Sequence, residues 1–309
     1  MAPEKSSQKL NHPVELVDSL TKKSGFTIID GVYTKEIEGK NFTFRNITDY
    51  KDFQNTIPVQ REAFSIEHDI DICPADMLAT LKAVGGMVIA GYDPEQNPTS
   101  FVYLWPTSES GLYLLDMIGV LKEYQDKGIG NEITKVLMLE AVKRGNVNEI
   151  QLTYDPLKVR NANLYVRKMG GEVISFKHNP YGNALAGDRF VISWNLSNPT
   201  SVLDHLNNPP EVSLQSIGFH NLPQVRGNNF PESDIVVLPA PSVNEFPENE
   251  TDDALVLYDL PVSRNQFVDL YRKAGDKYIN EKGYTIKTFI SHINEQEVRE
   301  NYYLLNKVN

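Results

Sequence analysis

The chain has 309 residues, 40% of them apolar, with 41 acidic against 30 basic side chains and a formal net charge of −11. That length accommodates a domain of about 150 residues plus a second lobe, and the negative balance disfavours nucleic-acid phosphates and anionic membranes, so neither is expected as a partner. A single cysteine, Cys73, excludes an intrachain disulfide and a multi-cysteine zinc site, and the scattered histidines lack the spacing of a helical metal site, so no metal is expected.

Residues 1 to about 25 are polar and without an apolar period, and read as a loose arm; Phe26 to Tyr33 offers a short strand, and the arm is taken to end near residue 40. The start carries no apolar signal core, and no apolar run approaches the roughly 20 residues of a membrane helix, so a cytoplasmic protein is expected. Four glycosylation sequons, at Asn41, Asn46, Asn195 and Asn249, are read as coincidence in an Asn-rich chain. Alternation at Phe42 and Phe44 predicts a first core strand to Ile47. Asp49 to Phe64 reads as a helix presenting Phe53, Ile57, Val59 and Phe64, which Pro58 is expected to break near its middle. The run Met87–Gly91 after Gly85-Gly86 predicts a buried strand, with Ser100–Trp105 as its hairpin partner across Pro94–Thr99.

Leu112 to Val120 forms a further strand, and the glycine turn after it carries the most chemistry. The turn Gln125-Asp126-Lys127-Gly128-Ile129-Gly130 leads into a helical run through Ile133, Val136, Leu137 and Ala141. A helix N-terminus leaves about four amide N–H groups without intrahelical partners and carries roughly half a positive charge, so phosphate is favoured there. Two glycines remove the Cβ atoms that would block its approach. The pattern is neither a Walker A loop, since Asn131 and Glu132 stand where lysine and a hydroxyl would be, nor the dinucleotide-binding glycine fingerprint.

Downstream, Ile150–Tyr154 is a strand, Asn161–Lys168 a short helix closed by Gly170-Gly171, and Gly171–Phe176 and Phe190–Trp194 two more strands. Asn198 to Pro231 is rich in Asn and Pro and reads as a linker or irregular lobe. Strands are expected at Ile235–Leu238, Ala254–Tyr258, Tyr284–Ile290 and Tyr302–Leu305, with a helix showing Phe267, Leu270, Tyr271, Ala274 and Tyr278 on one face, a stripe more typical of core than of a ligand site.

The loop resembles the Q/R-x-x-G-x-G/A segment of the Gcn5-related N-acetyltransferase (GNAT) superfamily, matched here by Gln125, Gly128 and Gly130. The resemblance extends over Thr153-Tyr154-Asp155-Pro156-Leu157, Arg160-Asn161-Ala162, Lys168-Met169-Gly170, Tyr181-Gly182, Asp188-Arg189 and Trp194, and so resembles one branch of predicted acyltransferases; Met169 and Ser193 depart from that branch's pattern. The segment Gly283-Tyr284-Thr285-Ile286 with Phe289 resembles the branch's C-terminal extension. It implies an α/β (α+β) acyl-coenzyme A N-acyltransferase fold over residues 41–197, a mixed sheet flanked by helices, followed by a small α+β extension over 198–309 that is a candidate for covering the acceptor site or for a dimer contact.

The same resemblance implies acetyl-coenzyme A or another acyl-coenzyme A as cofactor, with the backbone of Ile118, Gly119 and Val120 pairing with the pantetheine arm and Gln125, Asp126, Lys127, Gly128, Ile129 and Gly130 holding the pyrophosphate; Asn161 caps its helix or contacts the cofactor. Acyl transfer to an amine also requires a proton acceptor. Asp116 occupies the matching strand position, where relatives often carry histidine, and by strict alternation faces away from Leu115 and Met117; Glu62 and Asp69 are the other candidates, with solvated surface charge as their ordinary role. The tyrosine that many GNAT enzymes use to protonate the leaving thiolate falls here on Val166, and Tyr165, one residue earlier, is rotated by about 100° on a regular helix. Asp155-Pro156 is expected to set a turn, and Asp188-Arg189 to form an ion pair or clamp an acceptor carboxylate. The expected activity is transfer of acetyl to the amine of a small molecule or amino acid; a protein or peptide N-acyltransferase and a non-catalytic acyl-coenzyme A-binding module are the alternatives.

Overall fold

The computed structural model describes residues 14–182, 187–242, 256–257, 260–261, 264–295 and 297–308. It is a mixed α+β fold divided into two compact units, Met1–Gln151 with Asn195–Asn207, and Leu152–Trp194 with Asn208–Asn309. No described helix is long and apolar enough to cross a membrane.

The first unit is built on consecutive strands β1 (Thr27–Ile29), β2 (Val32–Ile37), β3 (Lys40–Asn46), β4 (Met87–Tyr92), β5 (Pro98–Pro106) and β6 (Leu112–Val120), each antiparallel to the next. β7 (Glu149–Tyr154) then runs parallel to β6, pairing Leu112, Tyr113 and Leu114 with Glu149, Ile150 and Gln151. Both faces are covered, which is why β4 reads as an unbroken apolar run rather than as an alternation. Val88, Ala90 and Tyr92 of β4, with Phe101 and Tyr103 of β5, pack under α2 (Tyr50–Ala63) and α3 (Ala75–Ala83) through Phe53, Val59, Leu78 and Leu81.

Against β3 to β6 lies α4 (Ile129–Arg144), flanked in turn by α1 (Val14–Lys23) and α6 (Pro199–Asn207). Enclosed by strands and helices, α4 is buried around most of its circumference. Its buried Glu132 is therefore paired, accepting from Lys35 Nζ at 2.6 Å and Lys135 Nζ at 2.9 Å.

The structure corrects several sequence expectations. The arm is helical from Val14, because Val17, Leu20 and Thr21 form a narrow buried stripe within an otherwise polar segment; residues 1–13 lie outside the described residues. Pro58 sits inside a continuous α2, since tertiary packing of Phe53 and Val59 outweighs one missing amide. The Asn- and Pro-rich stretch begins with α6, where Pro199 opens the helix and Leu203 and Leu206 are buried. Asn249 and most of the expected strand at Ala254–Tyr258 lie outside the described residues, although Val256–Leu257 (β11) and Leu260–Pro261 (β12) form a short pair.

The second unit has the strand order β9 (Arg189–Asn195), β8 (Glu172–Lys177), β13 (Tyr284–Ile293), β14 (Arg299–Lys307) and β10 (Ile235–Ala240). β8 and β13 meet at Val173 and Ile286, so the C-terminal strands continue the edge of the β8–β9 pair. α7 (Arg264–Ala274) and its π-helical continuation Gly275–Glu281 bury Phe267, Leu270, Tyr271, Ala274 and Tyr278, as their spacing predicts for a core stripe. A short helix α5 (Val159–Ala162) passes directly into a π-helical turn over Asn163–Lys168.

Candidate functional site

The glycine loop is a fixed structure. Leu121 N–H donates to Thr99 O at 2.9 Å, Lys122 N–H to Glu62 Oε1 at 2.8 Å, and the Gln125 side-chain amide to Val120 O at 3.0 Å. Gln125 thus ties the loop back to the end of β6, while Tyr124 O–H reaches Asp93 Oδ2 at 3.1 Å. Asp126 (φ 62°) and Gly128 (φ 85°) take left-handed conformations that turn the chain into α4, with Gly128 as its N-cap.

Beyond that turn, the amides of Lys127, Gly128, Ile129 and Gly130 have no acceptor among the described residues, whereas those of Asn131 and Glu132 bond to Gly128 O. Gly130 is informative for a second reason. Among the described residues a Cβ there would meet only Val120 Cγ2, at an ordinary 3.7 Å, and its φ is not left-handed, so none of them requires glycine. Gly119 differs: a Cβ would lie 2.5 Å from the Phe101 ring and 3.1 Å from Ala63, so packing alone excludes a side chain. Within the first unit no further strand lies against Ile118, Gly119 and Val120 on the edge opposite β5.

Asp116 lies at a β-bulge. β5 pairs Tyr103 with Met117 and Leu104 with Leu115, which leaves Asp116 as the extra residue. Its carboxylate accepts Trp105 Nε1–H at 3.3 Å and lies beside the Tyr103 hydroxyl, so it shares the face on which Met117 packs against the α2–α3 core. Strict alternation, which sets Asp116 opposite Met117, fails because the bulge resets the pleat. Although open to solvent at one side, the carboxyl group has its pKa raised by burial, an effect that outweighs the lowering by its Trp105 and Tyr103 hydrogen bonds. Burial also pushes the Tyr103 hydroxyl far up, helped by the Asp116 charge and the Cys73 thiol beside it. Tyr103 and Trp105 were not legible as site residues in the sequence; only the β5–β6 register brings them to Asp116.

Glu62 is exposed and caps Lys122, at the root of the glycine loop. Asp69 pairs with Arg61 at 2.5 Å on the surface, away from these contacts.

The remaining expected residues belong to the second unit. Asn161 is not a cap: Lys158 precedes the first turn, and Asn161 lies within α5 with its N–H on Lys158 O. Asp155 sets the turn after β7 by accepting Leu157 N–H at 2.9 Å. Tyr165 is 9% exposed and packs against Tyr154 and Trp194, with ring centroids 5.8 and 6.3 Å away. Burial raises its pKa. Because Tyr165 lies in a π-helical turn, closed by bonds such as Met169 N–H to Leu164 O, one more residue is taken up per turn than in an α-helix. The count of four residues back from Gly170, which puts the position on Val166, assumes an α-helix and does not carry across this turn.

Asp188 is buried and does form an ion pair, but with the half-exposed Arg272 of α7, whose Nε and Nη2 lie 2.7 and 3.4 Å from its carboxylate oxygens. Arg189 donates instead to the Asp188 backbone carbonyl.

No protein-family model and no curated protein matches the chain. Solved structures that match include the ribosomal-protein-S18-alanine N-acetyltransferase of Escherichia coli (16% identity, TM-score 0.43, covering 50% of this chain and 94% of that one). A putative acetyltransferase of the GNAT family from Desulfovibrio desulfuricans matches at 15% identity and TM-score 0.42, over 50% of this chain and 99% of that one. A GNAT family acetyltransferase from Elizabethkingia anophelis, with acetyl-CoA bound, matches at 14% identity and TM-score 0.38, over 50% and 97%.

Proposed function

We propose that this protein is an acyl-coenzyme A-dependent N-acyltransferase. The observation that carries the reading is the row of unbonded amides, Lys127 to Gly130, at the start of a long buried helix, where Gly130 leaves open a space that its own fold does not need. Such a row suits a pyrophosphate, and the unpaired edge of Ile118–Val120 suits an extended pantetheine arm. Asn161 is a further candidate contact to the cofactor.

When bound, an acyl-coenzyme A supplies a thioester carbon activated towards nucleophiles. Asp116 then takes a proton from the incoming ammonium, the neutral amine forms the new C–N bond as the C–S bond breaks, and the second proton that the nitrogen sheds balances the one the departing thiolate takes up. A carboxylate with a raised pKa is a better base than an ordinary one, which is what burial at the bulge supplies. By the resemblance of the sequence alone, Tyr165 is the candidate donor to the departing thiolate, and Glu62 acts by holding the loop. A net charge of −11 favours a cationic amine as acceptor, and a small-molecule amine or amino acid is the first choice of substrate.

The test is thiol release from acetyl-, succinyl- and longer acyl-coenzyme A against a panel of amines, amino acids and peptides, comparing wild type with Gly128→Glu. Acceptor-dependent release by wild type, lost in the folded variant, is the expected result. Release with peptides alone would move the substrate class to protein termini. Cofactor binding without release under any acceptor would make the protein a binding module, and no binding would remove the reading altogether.

A further inference from the structure

At the opposite end of α4 from the glycine loop is a cavity of about 420 Å³ with an unbalanced charge. Its lining includes Asn46 at the end of β3, Lys82 in the last turn of α3, Gly85 in the turn into β4, and Glu140, Lys143 and Arg144 of α4. The single carboxylate is already committed. Glu140 accepts Tyr33 O–H at 2.7 Å, the Asn46 amide at 3.2 Å and Lys143 Nζ at 3.3 Å.

The other two cations have no carboxylate within ion-pair distance among the described residues, although Lys82 feels the Glu140 charge. Lys82 donates to the neutral Asn46 Oδ1 at 2.7 Å, and its pKa is lowered by burial and then by the charge of Arg144, which together outweigh the raising effect of Glu140. Arg144 stacks over the Tyr113 ring at 5.6 Å and has neither a hydrogen-bond acceptor nor a carboxylate partner among the described residues. Cations at helix C-termini ordinarily offset the helix dipole, roughly half a negative charge for each of α3 and α4. With Glu140 that makes about two negative charges against three positive ones, leaving about one unmatched.

We propose that this cavity is a second ligand site, separate from the glycine loop, that takes a small organic molecule through a carboxylate held between Arg144 and Lys82. The volume is within the range of small-molecule pockets, and a planar guanidinium with all five donors unused matches a carboxylate edge. Gly85 (φ 96°) keeps the mouth open beside the guanidinium, since a Cβ there would come within 3.1 Å of Arg144 Nη2.

The experiment is calorimetric titration of the full chain with succinate in chloride-free buffer. Saturable binding is expected, weakened by added salt, reduced about tenfold in Arg144→Gln and in Lys82→Gln, and unchanged in Gly130→Glu. If Arg144→Gln does not fold, Lys82→Gln carries the comparison alone. Absence of saturable binding far above millimolar succinate would overturn the proposal. So would binding that survives both cation substitutions, or that is lost in Gly130→Glu, which would place the anion at the loop instead.

Discussion

Gly130→Ala separates the two jobs a glycine can do, and the structure assigns a sign to each. Gly130 is the second residue of α4, its φ is not left-handed, and the new methyl would meet only Val120 Cγ2 at 3.7 Å. Alanine in a compatible helical position is worth about 0.5–1 kcal/mol through the reduced entropy of the unfolded chain, which for a protein of this size raises the melting temperature by roughly 1–4 °C. The same methyl occupies the space in front of the unbonded amides. Losing one charge-assisted hydrogen bond to phosphate costs about 1.5–3 kcal/mol, or roughly 10- to 150-fold in acetyl-coenzyme A affinity. Thermal denaturation and calorimetric titration on one preparation read both numbers. A variant as stable as predicted that binds the cofactor within about twofold of wild type would refute the assignment of the loop.

Three further outcomes rest on the same geometry. Gly128→Ala, at φ 85°, should lower stability by about 1–2 kcal/mol, the strain of a left-handed non-glycine residue, measured by denaturant unfolding; an unchanged midpoint would contradict it. Asp116→Asn should lower kcat by about 10²- to 10⁴-fold. Because the folded pKa of Asp116 is raised, its carboxylate opposes folding at pH values above the unfolded pKa, so the asparagine variant should be no less stable than wild type at neutral pH. The acid limb of the wild-type rate profile should likewise fall as pH drops through that raised value; a destabilised variant with normal kcat would make Asp116 a structural carboxylate. Arg272→Ala leaves the buried Asp188 with the Asn179 N–H and, at 3.7 Å, His178 Nδ1, and should cost about 1–3 kcal/mol, read as a lower melting temperature that Arg272→Lys partly restores; no change in either would remove the ion pair as a source of stability.

The elements of the first unit that were legible are those whose signal is local. Leu112–Val120 and its glycine turn combine an apolar run, φ-permissive residues and a helical period, and the strand, turn and helix fall where those signals put them. What stayed hidden depends on partners far away in sequence. α1 was missed because three residues, Val17, Leu20 and Thr21, bury a stripe against α4 and α6 that a polar segment does not advertise. The side of the sheet to which Asp116 turns was misread because a bulge is a property of the pairing with β5, invisible in β6 alone. Asp188 has an arginine beside it in sequence, yet the guanidinium that pairs with its carboxylate, Arg272, is supplied by a helix from the C-terminal region. The π-helical turn under Tyr165 likewise has no signature that counting residues back from Gly170 could detect.

The central claim is tested most directly by amide hydrogen exchange at Lys127, Gly128, Ile129 and Gly130, with and without saturating acetyl-coenzyme A. These amides have no acceptor among the described residues, so they should exchange fast in the free protein and slow sharply when a pyrophosphate occupies the loop, while the amides of β14 stay unchanged. Exchange at these four positions that is indifferent to acetyl-coenzyme A would contradict the claim.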